Sequence, residues 1–419
     1  MAQTQPPKAT TALPLSACVS LADLEQVART KLSPRASAYY YSAAETHTAY
    51  GRNRDDWGRI SFRPRVMRDV TRASMQTQIM GAESTLPLFI APAASAGLGH
   101  ADAERCLARG AARMAIPQCV SSVASLLPRD IAATFFGDPQ RRGGAVFFQL
   151  YVPRRKADAC RRIDMAKEAG FEALVMTVDA NVIGKRDEDD RFRLLRLHER
   201  RARGEKGVED EYDNSSLPLH EVGADSTANA GSTALDDSLL LPPLPGHEAE
   251  TLRVCYTPAL VWEDLAWIRA RWGSRPIIVK GIQSVEDAVE ATRHGVDGIY
   301  LSNHGGRQLD YAPSAVQTLL DIRRLHPELL AKTKIYLDGG VTRGSDVVKA
   351  LCLGASGVGI GRGFLFALSA YGTDGVIKAI SILSDEIQTT MRLLGVNDIS
   401  QLNNNYLNLS DFSQPQAKL

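Results

Sequence analysis

Pro276-Ile277-Ile278-Val279-Lys280-Gly281, followed at once by Ile282-Gln283-Ser284-Val285-Glu286-Asp287, decides how this chain is read. Ile277-Ile278-Val279 is continuous and β-branched, too short for a helix and suited to a parallel strand buried on both faces. Gly281 breaks the run, and Ser284 with Asp287 three residues on marks a helix start. Val285, Ala288 and Val289 then recur at helical spacing, and Gly295 closes the segment. The stretch is one βα unit.

Seven further short apolar runs show the same alternation. The eight strands are expected at 88–91, 116–120, 145–150, 173–178, 276–280, 298–301, 334–337 and 357–360. Eight consecutive βα units predict an α/β chain closed into a (β/α)8 TIM barrel, not an open doubly wound sheet. The expected layout is a disordered leader over 1–20, a barrel domain over 21–395 and a C-terminal tail over 396–419. An N-terminal helical extension, with helix-like stretches at 21–31 and 39–49, precedes the first strand. An insertion over 191–250 follows the fourth. It begins basic (Arg191 to Arg203), turns acidic (Glu205 to Asp213), becomes Ser/Ala/Gly-rich and ends in Leu-Pro-Pro-Leu-Pro. Length without periodicity reads as a mobile lid or disordered insertion. It sits on the active-site side if it does more than fill solvent.

Composition narrows the classes. Of 419 residues, 44% are hydrophobic and 23% charged, as in a globular protein with a large core. Lys plus Arg is 49 against 48 for Asp plus Glu, a formal net charge of +1 that supports neither a nucleic-acid nor a membrane-surface partner. Six cysteines without a CxxC pair read as free thiols. No apolar run approaches the roughly 18 residues of a membrane span, and residues 1–11 lack the apolar region of a secretory signal. Ala417-Lys418-Leu419 is one small-residue change from the Ser-Lys-Leu address, so a peroxisomal location is expected, a cytoplasmic one otherwise.

Chemistry in such barrels gathers at the C-terminal strand ends, and here those ends are polar. They carry Ser121 and Ser122, Gln149 and Tyr151, Thr177, Asp179 and Arg186, Lys280, Ser302, His304 and Arg307, Asp338-Gly339-Gly340, and Gly361-Arg362. Glycines 339, 340, 359, 361 and 363 after strands seven and eight let backbone N–H groups cradle a phosphate, with Arg362 adding a bidentate contact. No Gly-x-Gly-x-x-Gly follows a strand, and there is no Walker A or His-Glu-x-x-His. A phosphate-bearing cofactor held by the barrel is the natural reading. Lys280 ends a buried strand and admits three readings: an ion pair with Asp338, a Schiff-base lysine, or a fixed cation beside a reduced flavin. His304, in a glycine-rich turn with Arg307 three residues on, reads as a general base oriented by Asp179.

Ser302-Asn303-His304-Gly305-Gly306-Arg307-Gln308-Leu309-Asp310 resembles the active-site signature of the FMN-dependent 2-hydroxy acid oxidases and dehydrogenases, a family that includes glycolate oxidase, lactate oxidase and the flavin domain of flavocytochrome b2. The resemblance runs from about residue 21 to about 395, with Phe62-Arg63-Pro64-Arg65, Phe148-Gln149-Leu150-Tyr151, Val279-Lys280-Gly281 and Leu337-Asp338-Gly339-Gly340-Val341 in order. It implies FMN-dependent oxidation of an L-2-hydroxy acid to the 2-keto acid, with O2 reoxidising the flavin and giving H2O2. Catalysis would rest on His304, Asp179, Lys280 and Tyr151. Arg307, Arg186, Tyr39 and Tyr151 would bind the substrate beside His304. The cofactor would meet Ala93, Ala94, Ser121, Gln149, Thr177, Lys280, Ser302, Asp338, Gly339, Gly340, Arg343, Gly361 and Arg362. No metal is implied; similar proteins are often homotetramers, and the short leader implies no fused haem domain.

There are departures. Thr342 stands where many members have a phosphate-binding arginine, so the phosphate leans on Arg362, Arg343 and backbone. Ala180-Asn181 replaces a common Thr-Pro, and Ala43 a common Gly. Val123 stands where glycolate oxidase has a tryptophan, which implies a larger or differently shaped pocket. Alternatives are a biosynthetic oxidase for a bulkier hydroxy acid or alcohol, a lactate monooxygenase-like enzyme, an isomerase on the same flavin barrel, and a flavin protein without turnover. Paired arginines argue against the isomerase, and intact His304 and Lys280 against the last. The choice between hydride and carbanion mechanisms, the hydroxy acid itself and the acceptor stay open.

Overall fold

A computed structural model describes residues 13–204 and 256–413. Eight parallel strands close into a barrel in chain order: β1 (Leu88–Ile90), β2 (Gln118–Ser121), β3 (Val146–Leu150), β4 (Ala173–Thr177), β5 (Ile277–Ile282), β6 (Gly298–Leu301), β7 (Lys334–Leu337) and β8 (Gly357–Ile360). Closure is by β8 against β1, Gly359 opposite Phe89. The expected barrel is therefore found, with strands six to eight at the expected bounds and the others within two residues.

The described residues hold fourteen α-helices, in chain order α1 (Leu21–Lys31), α2 (Pro34–Tyr41), α3 (Thr48–Gly58), α4 (Glu104–Met114), α5 (Pro128–Phe136), α6 (Lys156–Glu168), α7 (Asp187–Ala202), α8 (Asp264–Trp272), α9 (Val285–Arg293), α10 (Ala315–Leu325), α11 (Leu329–Lys332), α12 (Gly344–Cys352), α13 (Arg362–Leu393) and α14 (Ser410–Ser413). α9 starts as read: the Ser284 hydroxyl accepts from the Asp287 amide. Phe89, Phe147, Val175, Tyr300 and Tyr336 fill the barrel. Its lower end is closed by a hairpin, Thr77–Ile79 against Ala82–Ser84, whose Met80 amide donates to the Tyr336 hydroxyl at 2.9 Å.

Four expectations need correcting. The 39–49 helix is two helices separated by a turn. That turn is held from outside, by the Ala44 amide on the Gly306 carbonyl and the Glu45 amide on that of Lys185. Residues 13–20, assigned to a disordered leader, are ordered: Leu15–Ala17 is a 3-10 helix, Cys18 is fully buried, and Ser20 caps α1 in a capping box with Asp23. The tail from 396 is ordered as far as 413, and its Leu407 and Asn408 pair antiparallel with Phe62 and Ser61. Finally, one helix does pass the length and hydropathy test of a membrane span. It is α13, kinked at Tyr371 and Gly372, and 67% of its apolar window is buried within the fold. Its apolar faces pack on α1, α4 and α12.

The start of the insertion also has structure, since α7 covers residues up to 202 and packs on α2. Residues 205–250 of the insertion, and the terminal Ala417-Lys418-Leu419, lie outside the described residues. Among the described residues the cysteines are free.

Candidate active site

Strand register assembles the site. Ser121 lies opposite Gln149, and Thr177 opposite Lys280. Leu301 lies opposite Leu337, so the next residues, Ser302 and Asp338, emerge side by side. Polar side chains run round this rim. The Ser121 hydroxyl donates to Gln149 Oε1 at 3.2 Å, and Gln149 Nε2 to Thr177 Oγ1 at 3.0 Å. Lys280 Nζ donates to Ser302 Oγ at 3.0 Å and lies 3.8 Å from Asp338 Oδ2. Ser302 in turn donates to Asp338 Oδ1 at 2.6 Å. Of the three readings of Lys280, the ion pair is present, and its ammonium also faces the cavity above the rim.

That cavity is about 810 Å³. Tyr39, Ala93, Ala94, Ser121, Gln149, Tyr151, Thr177, Arg186, Lys280, His304, Arg307, Asp338, Gly339, Gly340, Arg343, Gly361 and Arg362 all line it. Asp179 and Ser302 do not. Asp179 stands behind His304. Ser302, expected to touch the cofactor, is fully buried, and its oxygen is engaged by Lys280, Asp338 and the His304 amide.

His304 has a left-handed backbone, φ +61°, and Gly305 and Gly306 continue it at +66° and +77°. Such a conformation is costly for a non-glycine residue and persists where the surroundings enforce it. At Gly306 a side chain would strike the Tyr50 backbone, so only glycine fits. The turn aims the imidazole into the cavity. Nδ1 lies 3.0 Å from Asp179 Oδ1, and Nε2 lies 3.1 Å from the Tyr151 hydroxyl. Asp179 itself gains room from the irregularity between Lys280 and Ile282, where Gly281 at φ +105° presents no side chain.

Electrostatics suit a base. Burial lowers the pKa of His304, with Lys280 and Arg186 assisting and Asp179 only partly opposing, which keeps the ring neutral near pH 7. Burial works against the Asp179 carboxylate, but the charges of His304 and Lys280 outweigh it and hold its pKa below the usual range. Burial raises the Tyr151 phenol well above its ordinary value, so it remains a hydrogen-bond donor.

Two guanidiniums flank this pair. Arg307 Nη1 donates to the carbonyls of Tyr39 at 2.6 Å and Ser42 at 3.1 Å, while its Nη2 is buried with no partner. Burial, and then the neighbouring charge of Arg186, push Arg307 down to about 9. A bound carboxylate would relieve both pressures. Arg186 is held by Gln308, whose Oε1 accepts from Arg186 Nη2 at 3.3 Å and whose Nε2 donates to the Asp179 carbonyl at 2.6 Å. Gln308 belongs to the 302–310 motif, and nothing in its residue type announces this clamp. Sequence reasoning also missed Ser42, the anchor of Arg307, and Tyr256, stacked on Tyr151 at 4.3 Å. Only three-dimensional contact identifies them.

At the phosphate end the expected arginines are partly engaged elsewhere. The Arg343 guanidinium is half exposed and pairs with Glu386 at 2.6 Å, and its amide donates to Asp346. The first amides of α12 are thus closed by carboxylates, while the Arg343 side chain still lines the cavity. Arg362 lines the cavity while donating to the carbonyls of Gly305 at 3.0 Å and Ser42 at 3.1 Å. The start of α13 has no side-chain cap, and a side chain built at Gly361 would meet nothing within 4 Å. Open amides at a helix N-terminus, beside the Gly339-Gly340 turn, form an anion cradle.

A (β/α)8 barrel with a half-buried His–Asp pair, paired arginines and an anion cradle in one cavity defines a cofactor-dependent barrel enzyme. The particular family follows from comparison: residues 28–409 match the FMN-dependent dehydrogenases, and the chain belongs to that family, whose cofactor is FMN. An L-lactate dehydrogenase (cytochrome) from Wickerhamomyces anomalus is 37% identical over 391 residues, 93% of this chain and 61% of that protein. The chain thus spans about three-fifths of such relatives. Glycolate oxidase of Spinacia oleracea is 33% identical, covering 94% of this chain and 97% of its own. Among solved structures, the flavin-binding domain of baker's yeast flavocytochrome b2 superposes with a TM-score of 0.80 at 31% identity, covering 97% of this chain and 91% of that one. A mandelate oxidase mutant with (S)-mandelic acid gives 0.72 at 30% identity, covering 93% and 98%.

The residues present fit FMN. The row Ser121, Gln149, Thr177 and Lys280 offers hydrogen-bonding groups to a flavin edge, and the cavity beside Gly361, where a side chain would meet nothing within 4 Å, has room for a phosphate at the start of α13.

Proposed function

We propose that this protein oxidises an L-2-hydroxy acid to the 2-keto acid with FMN, the flavin being reoxidised by O2 to give H2O2. The observation that carries the reading is the His304 ring, backed by Asp179 at 3.0 Å and exposed to a cavity that also holds Arg186 and Arg307. The substrate carboxylate is taken by Arg307 and Arg186, with Tyr39 alongside. Tyr151 donates to the substrate hydroxyl oxygen. His304 Nε2 removes one proton, and Asp179 stabilises the resulting imidazolium. FMN, when bound, supplies the acceptor for the two electrons leaving the substrate. Ala93, Ala94, Ser121, Gln149, Thr177, Lys280 and Asp338 would hold its ring and ribityl chain, and Gly340, Gly361 and Arg362 its phosphate. Relatives named glycolate oxidase and mandelate oxidase support a hydroxy acid substrate and an oxidase chemistry. We read the assembly as a homotetramer, on the habit of similar proteins.

The test is an anaerobic absorbance titration of the purified holoprotein with L-lactate, glycolate and 2-hydroxyoctanoate, followed by air. Bleaching of the flavin band by one of these acids and recovery in air is the expected result. Bleaching without recovery would replace O2 by another acceptor, such as a cytochrome. A yellow protein bleached by none would remove hydroxy acid oxidation of these substrates.

A further inference from the structure

Helix α3 belongs to the N-terminal extension, yet it is fastened to the turn that follows β7. Trp57 Nε1 donates to the Gly339 carbonyl at 3.0 Å. The side chains of Asn53 and Asn303 exchange hydrogen bonds at 2.7 and 2.9 Å. A side chain at Gly340 would strike the Asn53 carbonyl and the Arg54 amide, so the backbone of α3 lies directly on that turn. These contacts fix where the helix presents its side chains.

Tyr50 and Arg54, one turn apart on α3, both line the cavity. The Arg362 guanidinium lies over the Tyr50 ring, 4.7 Å from its centroid. Arg362 and Arg54 thus reach the same end of the cavity, one against Tyr50 and the other a helical turn beyond it. The cations at this end differ in how far they are committed. Arg343 pairs with Glu386. Arg362 donates from both terminal nitrogens, to the carbonyls of Gly305 and Ser42. Arg54 is exposed and makes no hydrogen bond, ion pair or ring contact among the described residues. An exposed arginine is ordinarily left to water. This one stands instead at the end of a cavity where a phosphate monoester, with a charge of about −1.5 to −2 near pH 7, would meet Arg362 as its buried guanidinium.

We infer that Arg54 is a second guanidinium for the FMN phosphate, closing on it from the solvent side while Arg362 holds it from within the barrel. This rests on the phosphate seat at the start of α13 described above. The arrangement makes the N-terminal extension part of the cofactor site, and it sets FMN apart from riboflavin, which has no phosphate for Arg54 to meet.

The experiment is a fluorescence titration of the full chain, freed of flavin, with FMN and with riboflavin. Wild type, Arg54→Gln, Arg54→Lys and Gly361→Ala are compared, and the Tm of each apoprotein is read alongside. Arg54→Gln is expected to weaken FMN about tenfold at low salt, the contribution of one charge-assisted hydrogen bond, with riboflavin affinity and Tm unchanged. Added salt should narrow that difference, because the contact is exposed. Arg54→Lys keeps the charge and should recover most of the loss, short of a bidentate contact. Unchanged FMN affinity in Arg54→Gln overturns the inference and leaves Arg54 to solvent. An equal loss of FMN and riboflavin also overturns it, making Arg54 a prop for α3. Gly361→Ala separates the two claims. FMN weakened by Gly361→Ala but not by Arg54→Gln removes Arg54 and keeps the seat, whereas FMN weakened by neither moves the phosphate and takes Arg54 with it.

Discussion

The carboxylate of Asp179 lies 3.0 Å from Nδ1 of His304, and the other nitrogen of that ring is left to the cavity. A carboxylate at Nδ1 fixes the proton there and leaves Nε2 as the acceptor. His304→Ala should therefore slow flavin reduction by about 10²–10⁴-fold, the usual contribution of a general base, while the bound flavin spectrum is retained. Asp179→Asn keeps the shape and removes the charge, and should also slow reduction. Stopped-flow absorbance checks both, and near-wild-type rates in His304→Ala would sink the assignment.

The pH profile follows from the same pair. The neutral ring is the active form, and burial places its pKa below 6.5. The rate of flavin reduction should therefore rise with pH through a value below 6.5 and be flat across neutrality. Asp179 raises the His304 pKa, so Asp179→Asn should move the acid limb to lower pH. A limb above pH 7 in the wild-type protein would contradict the electrostatic argument.

Legibility in the sequence varied with how local each cause is. Strands β6, β7 and β8 were readable to the residue because glycines and β-branched runs bound them. The turn between α2 and α3 was not, because the Gly306 and Lys185 carbonyls hold it from far away in the chain. Helix α7 escaped because charged residues occupy all its sides, and no apolar stripe announces it. In the site, residue types at strand ends pointed to His304, Asp179 and Lys280. Ser302 was read from its place at a strand end, and the fold adds what the sequence could not, that its hydroxyl bridges Lys280 and Asp338. Gln308 carries no charge and has no distinctive spacing; its clamp on Arg186 and Asp179 exists only after folding.

That clamp makes its own prediction. Gln308→Ala removes an acceptor from Arg186 and a donor from the Asp179 carbonyl. A hydrogen bond to a charged group contributes about 1.5–3 kcal/mol, and about 1.4 kcal/mol is tenfold. KM for the hydroxy acid should rise about tenfold or more, with a smaller fall in kcat. Steady-state kinetics decide it, and an unchanged KM would show that Arg186 does not depend on Gln308.

Gly361 and Gly306 offer a matched pair for locating the cofactor phosphate. Alanine at Gly306 would meet the Tyr50 backbone at 2.6 Å from a left-handed conformation. Gly306→Ala should therefore destabilise the apoprotein by more than about 1 kcal/mol. At Gly361 a methyl group meets no protein atom within 4 Å and projects into the cavity. Gly361→Ala should leave the apoprotein Tm unchanged and weaken FMN binding roughly tenfold or more, about 1.4 kcal/mol, because the methyl occupies space beside the open amides of α13. Thermal melts of the apoproteins and fluorescence titration with FMN measure the two effects separately. Undiminished FMN affinity in Gly361→Ala would argue against a phosphate seated at the start of α13.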